Sequence, residues 1–249
     1  MSFQDHFSAG ATGYVAHRPH YPAALFDWLG DVAPARGLAW DCACGSGQAT
    51  QGLARVFDRV VATDASAQQI AAAPPRPNVV YQISRAEEPG FPEASVDCIA
   101  VAQAIHWFDF AAFYAQARRV ARPGAVLAAW SYDSFQLDDR ELNEIADAFY
   151  EPVLGPFWQP ERLYLKEAYR TLPFPFAEEL RAPPFAIEMD WNLAELTGYF
   201  RTWSATRNFI AAHRHDPVAL VEMKLRDAWG DPSRRVKVTM PLGMRVARL

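Results

Sequence analysis

A segment of small and acidic residues at 41–50, DCACGSGQAT, has the composition of a loop that binds a cofactor. Asp41 follows the apolar run GLAW, and Gly45 and Gly47 come shortly after it. Glycines allow tight turning and a close approach of the backbone to a ligand, and the N-terminus of a following helix favours a carboxylate or phosphate. Asp64 ends the next apolar run, where its carboxylate can accept hydrogen bonds from ribose hydroxyls. This order of loop, helix and acid predicts a cofactor site.

The spacing of the glycines distinguishes two kinds of cofactor. A nicotinamide-binding loop would require G-x-G-x-x-G, but position 50 is threonine. The loop is instead D-x-small-x-G-x-G, with Ala43 as the small residue. Because alanine does not easily adopt a positive φ, we expect Ala43 to keep an extended conformation. The spacing disfavours a nicotinamide-dependent dehydrogenase.

Short apolar runs alternate with helical patterns around this loop and predict an open, doubly wound α/β sheet. The runs are continuous rather than alternating, as in strands buried on both faces of a parallel sheet. Helical patterns follow three of the runs, and Asp109 stands as the N-cap of the last pattern. Ligands of such sheets bind beyond the carboxyl ends of the strands, where the strand order reverses. The predicted strands are 38–43, 59–64, 79–84, 96–102 and 125–131.

The character of the chain changes after Trp130. Seven of the 19 prolines lie between Pro152 and Pro184, and aromatic residues are frequent there. This composition predicts either a cap over the site or a segment that only packs over the edge of the sheet. Beyond it we predict a strand, a helix over 193–212 and a closing strand. The expected divisions are an N-terminal arm and first helix (1–36), a cofactor-binding core (37–132), a cap insertion (133–184), and C-terminal strands and a helix that complete the sheet (185–249).

Composition limits the partners of the chain. Its 249 residues carry a net charge of −5 and no basic stripe, so we expect no nucleic-acid partner. No uncharged apolar run approaches the ~20 residues that span a bilayer, and the first residues do not form a secretory signal. We therefore expect a cytoplasmic protein with no membrane partner. The three cysteines predict reduced, buried thiols rather than a metal site. The sequence does not define the oligomeric state.

These segments together resemble the class I S-adenosylmethionine-dependent methyltransferases. The resemblance is strongest to the methyltransferase type 11 branch, which acts on small molecules and includes trans-aconitate methyltransferase-like proteins. It implies a Rossmann-like, doubly wound seven-stranded sheet, mostly parallel with an antiparallel last strand, plus a cap inserted after strand five. The segments that carry it are YVAHRPHYPAALFDWL (14–29), DCACGSGQAT (41–50), ATDAS (62–66), AEEPGFPEASVD (86–97), AIHWFD (104–109) and RRVARPGAVL (118–127).

The resemblance also implies which residues bind S-adenosylmethionine. The glycine loop would line its methionine part, the end of the second strand its ribose, and the segment after the third strand its adenine. Residues that end the fourth strand would lie near the transferable methyl group. An arginine of the N-terminal arm would pair with the cofactor carboxylate, although an exposed surface arginine is the alternative. The implied set is Arg18, Asp41, Ala43, Gly45, Gly47, Asp64, Ala65, Ala86, Glu87, Gln103 and Ala104.

The acceptor should lie across the switch point from the glycine loop. His106 is a candidate base for a hydroxyl or amine acceptor, although a histidine beside Trp107 is also a common packing pair. Arg207 falls within the apolar stripe of the helix predicted over 193–212, one turn beyond Trp203. Because an unpaired buried charge is costly, Arg207 needs a protein acid, solvent or an acidic substrate as its partner. We expect both tryptophans to line the acceptor site.

The expected reaction is methyl transfer from S-adenosylmethionine to a small organic acceptor, with a carboxylic acid as one candidate, and S-adenosylhomocysteine is the product. The donor is already activated, so the protein mainly aligns the reactants and excludes water. A carboxylate acceptor would need no general base. The alternative is a non-catalytic module that binds this cofactor on the same fold.

Overall fold

The computed structural model of the chain describes residues 20–249. Arg18 and the first part of the predicted N-terminal arm lie outside the described residues. The strands are β1 (Leu38–Cys42), β2 (Arg59–Asp64), β3 (Val79–Ile83), β4 (Val96–Ala102), β5 (Ala121–Ser131), β6 (Gln136–Leu137), β7 (Glu178–Glu179), β8 (Ala186–Trp191), β9 (Val236–Pro241) and β10 (Gly243–Arg248).

Seven of these strands form the main sheet, in the order β3-β2-β1-β4-β5-β10-β7. β10 runs antiparallel to both of its neighbours, whereas the pairs among β1 to β5 are parallel. The predicted fold class, a mostly parallel seven-stranded sheet with an antiparallel last strand, is therefore confirmed. The strand order reverses between β1 and β4, which places the carboxyl ends of these two strands side by side.

The α-helices cover the sheet and build a second layer beyond it. Side chains from both faces of β1, β4 and β5 are buried, as their continuous apolar sequences predict. Ser66 and Asp109 are N-caps whose side chains accept hydrogen bonds from the helices that follow them. The helices are α1 (Ala23–Val32), α2 (Gln48–Leu53), α3 (Ala67–Ala72), α4 (Phe110–Val120), α5 (Arg140–Ala148), α6 (Leu163–Lys166), α7 (Leu193–Thr202), α8 (Ser204–His213) and α9 (Val218–Trp229).

A separate three-stranded antiparallel sheet has the order β6-β9-β8. The expectation that the segments of β8 and β9 complete the main sheet is thus wrong, and only β10 of the C-terminal part does so. The physical reason is visible in the burial of the strands. Side chains of β9 alternate between buried and more exposed positions, which suits a sheet with one face on a core and one face in solvent.

This small sheet shares one apolar core with the cap insertion. The core contains Phe135 and Phe149 from the cap together with Phe200, Trp203 and Val238 from the C-terminal part. The cap is consequently a two-segment structure, and the boundary expected near residue 184 does not divide its core. The helix α9, which the sequence analysis did not predict, packs against α5 and α7 in this unit.

The single helix predicted over 193–212 is two helices, α7 and α8. Trp203 interrupts them with an extended backbone, at φ −68° and ψ 140°. The Thr202 hydroxyl donates to the Tyr199 carbonyl at 2.7 Å, and the Thr206 hydroxyl donates to the Phe200 carbonyl at 2.7 Å. These bonds satisfy carbonyls at the end of α7 and so replace helical hydrogen bonds. Arg207 therefore does not lie in the apolar stripe of one continuous helix.

Within residues 20–249, no helix is long and apolar enough to cross a membrane.

Candidate cofactor and acceptor site

The loop between β1 and α2 has a strained backbone. Ala43 has a φ of 55°, and Gly45 and Gly47 have φ values of 56° and 88°. The expectation of an extended Ala43 is therefore wrong. The chain turns sharply here, because the Cys44 N–H donates to the carbonyl of Thr63 at 2.9 Å and the Gly47 N–H donates back to the carbonyl of Cys44 at 2.9 Å. A left-handed alanine costs ~1–3 kcal/mol and persists mostly at functional sites.

The two glycines of this loop are required for different reasons. A Cβ atom on Gly47 would lie 2.8 Å from the hydroxyl oxygen of Tyr81, so neither the space nor the backbone suits a side chain. A Cβ atom on Gly45 would meet its nearest neighbour at 3.8 Å, so only its φ demands glycine.

Asp64 holds the loop from the end of β2. Its Oδ2 accepts a hydrogen bond from the Gly45 N–H at 2.9 Å, and its Oδ1 accepts one from the Ser66 N–H at 2.8 Å. The half-buried carboxylate ties the glycine loop to the start of α3. Ala65, the next residue, is also partly exposed.

Asp41 is a fully buried carboxyl group beneath the same loop. The Thr50 hydroxyl donates to its Oδ2 at 2.5 Å, whereas Oδ1 is buried without a hydrogen-bond partner among the described residues. Burial, aided by the negative charge of Asp64, raises the pKa of Asp41 to about 7. A buried polar atom without a partner is unfavourable, and a cationic ligand group in the loop would relieve it.

Glu87 follows β3 and Gln103 follows β4, at the same edge of the sheet as the glycine loop. Glu87 Oε1 accepts from the backbone N–H of Asp109 at 3.2 Å, and its Oε2 pairs with Arg85 at 3.3 Å. Gln103 has a φ of 57°, and its Nε2 donates to the carbonyl of Tyr132 at 2.7 Å. Gln103 thus caps the edge of the sheet with its amide.

Ala86 and Ala104 are both buried at the same strand ends. The structure therefore brings the described members of the implied cofactor set to one edge of the sheet. This edge is formed by the carboxyl ends of β1 to β4, which lie next to one another in the sheet.

His106 lies in the short 3-10 helix Ile105–Trp107 that follows β4. It is 8% exposed, and its Nδ1 lies 2.9 Å from the hydroxyl oxygen of Tyr169 in the cap. Burial and the positive charge of Arg162 lower the pKa of His106 to about 3. The histidine is therefore neutral near pH 7, and so low a pKa makes it a poor general base.

Arg162 is a functional candidate that the sequence analysis missed. Its Nε and Nη2 donate to the Tyr150 hydroxyl at 2.9 and 2.7 Å, and Nη2 pairs with Asp133 at 2.9 Å. The guanidinium carbon lies 3.6 Å from the ring centroid of Trp158, and the side chain is 18% exposed. No spacing in the sequence links these residues, because separate segments of the cap bring them together.

The predicted acceptor residues take different positions around this cluster. Trp107 is half-exposed beside His106, with ring centroids 4.9 Å apart. Trp203 is buried, and its ring lies 5.5 Å from that of Tyr150. Arg207 is half-buried, and its Nη1 donates to the carbonyl of Thr202 at 3.1 Å. Its role as a substrate anchor stays a prediction.

Among residues 20–249, no group of three or more histidine, cysteine or acidic side chains could hold a metal ion. All three cysteines are buried free thiols, and burial raises the pKa of each.

Comparison with known proteins gives a consistent result. Residues 40–129 match the family described as "Methyltransferase domain", methyltransferase type 11. A Dictyostelium discoideum protein named as a "putative methyltransferase" is 31% identical over 253 residues, which cover 99% of this chain and 95% of the relative. A solved structure from Anaeromyxobacter dehalogenans, described as a "putative type II methyltransferase", is 49% identical with a TM-score of 0.88. The match covers 93% of this chain and 97% of that chain.

The strand order and the strained glycine loop define a Rossmann-like protein, a fold whose ligands bind at the switch point of the sheet. Together with these relatives, they show that the chain belongs to the class I S-adenosylmethionine-dependent methyltransferases, in the methyltransferase type 11 family. The predicted enzyme class is confirmed. The narrower resemblance to trans-aconitate methyltransferase-like proteins stays a prediction.

Proposed function

We propose that this methyltransferase transfers the methyl group of S-adenosylmethionine to a small organic acid and releases S-adenosylhomocysteine. When bound, the cofactor supplies a methyl group on a sulfonium that needs no further activation. The residues of the chain then have to hold the acceptor in line with that methyl group and exclude water.

The residues at the carboxyl edge of the sheet fit this cofactor. Asp41 Oδ1, which has no hydrogen-bond partner in the described part of the chain, would accept from an ammonium group. Asp64 would accept from the ribose hydroxyls, while Ala65, Ala86 and Glu87 would line the nucleoside. The glycine loop, Gln103 and Ala104 would surround the methionine part. Arg18, which lies outside residues 20–249, stays a candidate partner of the cofactor carboxylate.

The placement of Arg162 beside His106 is the main observation that supports an acidic acceptor. The charge of Arg162 acts on His106 from the cap. Its Nε and Nη2 are engaged, and Nη1 has no hydrogen-bond partner among residues 20–249. A guanidinium fork suits a planar carboxylate. A carboxylate is already ionised near pH 7, so the poor basicity of His106 would not limit the reaction.

Cofactor binding is tested by calorimetry with S-adenosylmethionine on the wild type and on Asp64→Ala. Loss of hydrogen bonds to a charged group should weaken binding roughly 10- to 150-fold. Circular dichroism before titration establishes that the variant is folded. Equal affinity of the two proteins would remove Asp64 from the site.

The acceptor class is tested by a panel of small acids and their neutral amides, with release of S-adenosylhomocysteine as the readout. Arg162→Lys keeps the positive charge beside Asp133 but loses the fork, so KM for an acidic acceptor should rise about tenfold or more. The matched variant Arg207→Lys tests the second candidate anchor. A best acceptor without negative charge would contradict the proposal.

A further inference from the structure

The cap segment after α6 has two successive residues in a left-handed conformation. Ala168 has a φ of 49° and Tyr169 a φ of 60°. Neither is glycine, so this backbone is strained at both positions. Such a conformation persists only where the surrounding structure imposes it.

The last strand of the main sheet imposes this conformation. Arg245 Nη1 donates to the carbonyl of Tyr169 at 3.3 Å and to that of Leu172 at 3.2 Å. Gly243 lets the strained turn approach closely, because a Cβ atom there would lie 2.5 Å from the Cβ of Ala168. The position of Tyr169 is therefore fixed by the sheet as well as by the cap.

The fixed ring brings a buried hydroxyl to one nitrogen of His106. The Tyr169 oxygen lies 2.9 Å from Nδ1, and Tyr169 is fully buried. Ser131 Oγ lies near the Tyr169 oxygen and, as a donor, acts to lower the pKa of the phenol, but it is outside hydrogen-bonding geometry with any described residue. His106 Nδ1 is in hydrogen-bonding geometry with the Tyr169 hydroxyl, and which of the two groups donates depends on the histidine tautomer. Burial raises the pKa of Tyr169 well above its usual value, so the phenol keeps its proton.

A neutral imidazole that accepts at Nδ1 carries its own proton at Nε2. In the described part of the chain, Nε2 has no hydrogen-bond partner, and His106 as a whole keeps 8% of its surface exposed. Arg162 in the cap lowers the pKa of His106 through its positive charge. Tyr169 is the other titratable group in contact with His106.

We propose that Tyr169 is a positioning residue that holds neutral His106 in the tautomer protonated at Nε2, so that Nε2–H donates a hydrogen bond to an oxygen atom of the acceptor. This inference rests on the proposed function and refines it. His106 then binds and orients the acceptor, and it takes no proton from it. The acceptor oxygen that receives the methyl group arrives already ionised, as a carboxylate does.

The first test reads the tautomer directly in the protein without cofactor or acceptor. Long-range ¹H–¹⁵N correlation spectra of histidine-labelled wild type and of His106→Gln identify the His106 signals by difference. We expect an unprotonated Nδ1 and a protonated Nε2 that do not change between about pH 5 and pH 8. A proton on Nδ1, or a titration near pH 6.5, would overturn the inference.

The second test separates positioning from bulk packing. Tyr169→Phe keeps the ring but loses the hydroxyl, so the spectrum should show a mixture of tautomers. Because one hydrogen bond to the acceptor is then only partly populated, kcat/KM should fall about three- to tenfold. The control is Tyr164→Phe in the same cap segment, whose ring packs on Phe110. Equal spectra for both variants, with one tautomer in each, would contradict the positioning role.

The third test separates a donor from a base. His106→Gln retains an N–H donor, whereas His106→Leu does not. A donor role predicts that Gln keeps most of the activity and that Leu raises KM about tenfold. Similar loss of kcat in both variants, with recovery at higher pH, would support a base and overturn the inference. Absence of methyl transfer with every acceptor would contradict the proposed function alone, because the spectra still report the tautomer.

Discussion

At the residue scale, the left-handed conformation of Ala43 predicts that substitution by glycine stabilises the protein, although glycine usually destabilises a folded chain. A left-handed conformation costs a residue with a Cβ roughly 1–2 kcal/mol, whereas glycine costs about 0.5–1 kcal/mol in entropy. Ala43→Gly should therefore raise the free energy of unfolding by about 0.5–1 kcal/mol, measured by urea denaturation. The control Ala39→Gly, in buried β1, should lower it. Destabilisation by both substitutions would show that the strain at Ala43 is not relieved.

Asp41 predicts a dependence of stability on pH. Its pKa is about 7 in the folded protein against 3.8 as the ordinary value, so the folded state binds the extra proton between these values. The free energy of unfolding should thus fall as pH rises from about 4 to 7, by roughly 3–4 kcal/mol from this group. Asp41→Asn should flatten that slope when denaturation is repeated at each pH. A variant with the slope of the wild type would show that Asp41 ionises normally.

The residues also show what the sequence could reveal about the site. The proximity of Asp41, Gly45, Gly47 and Asp64 was predictable because a glycine loop and the acid that ends the next strand have a fixed order along the chain. Arg162 was not, because its partners come from cap segments that are adjacent only after folding. The positive φ of Ala43 was missed because residue type alone argues against it.

At the scale of elements, the glycine loop packs closely against β3, because Gly47 lies next to the hydroxyl group of Tyr81. Gly47→Ala should lower the free energy of unfolding by about 1–3 kcal/mol. The new Cβ would meet Tyr81, and the alanine would have to adopt a positive φ. Tyr81→Phe should recover part of that loss in the double variant, because it removes the contact but leaves φ unchanged. The double-mutant cycle measures the coupling. Additive effects would mean that the two groups do not meet.

Elements were predictable where burial is uniform along them. β1, β2 and β4 follow continuous apolar runs, and their bounds agree with the structure to within one residue. β5 begins four residues before its predicted start, and β3 has no fully buried residue. The helical pattern over 193–212 was misleading because the apolar spacing continues across Trp203, while threonine hydroxyls terminate α7 there. The small sheet was missed because β9 alternates in burial and pairs with strands distant in the chain.

At the scale of the whole molecule, the cap is expected to exchange backbone hydrogens more freely than the main sheet until the cofactor binds. Cap segments must move for ligands to enter and leave. Hydrogen exchange should show that residues 152–166, the part of the cap before the anchored turn at Ala168 and Tyr169, gain protection with S-adenosylhomocysteine. β4 and β5, buried in the sheet, serve as the internal control. Equal protection of the cap in both states would argue against a closing lid.

The contact between Arg245 and the Tyr169 backbone has a consequence for folding during synthesis. Arg245 lies 76 residues beyond Tyr169 in the chain, so a ribosome completes the cofactor loop, His106 and the cap before it synthesises the strand that holds the cap turn in place. The N–H groups of Ala168 and Tyr169 donate to the carbonyls of Leu165 and Tyr164 within the cap itself. Until β10 inserts beside β5, however, the turn lacks the contacts with Arg245 and Gly243 that hold it against the main sheet. The growing chain could thus bind its methyl donor before it can orient an acceptor, so activity would begin only once synthesis has passed β10.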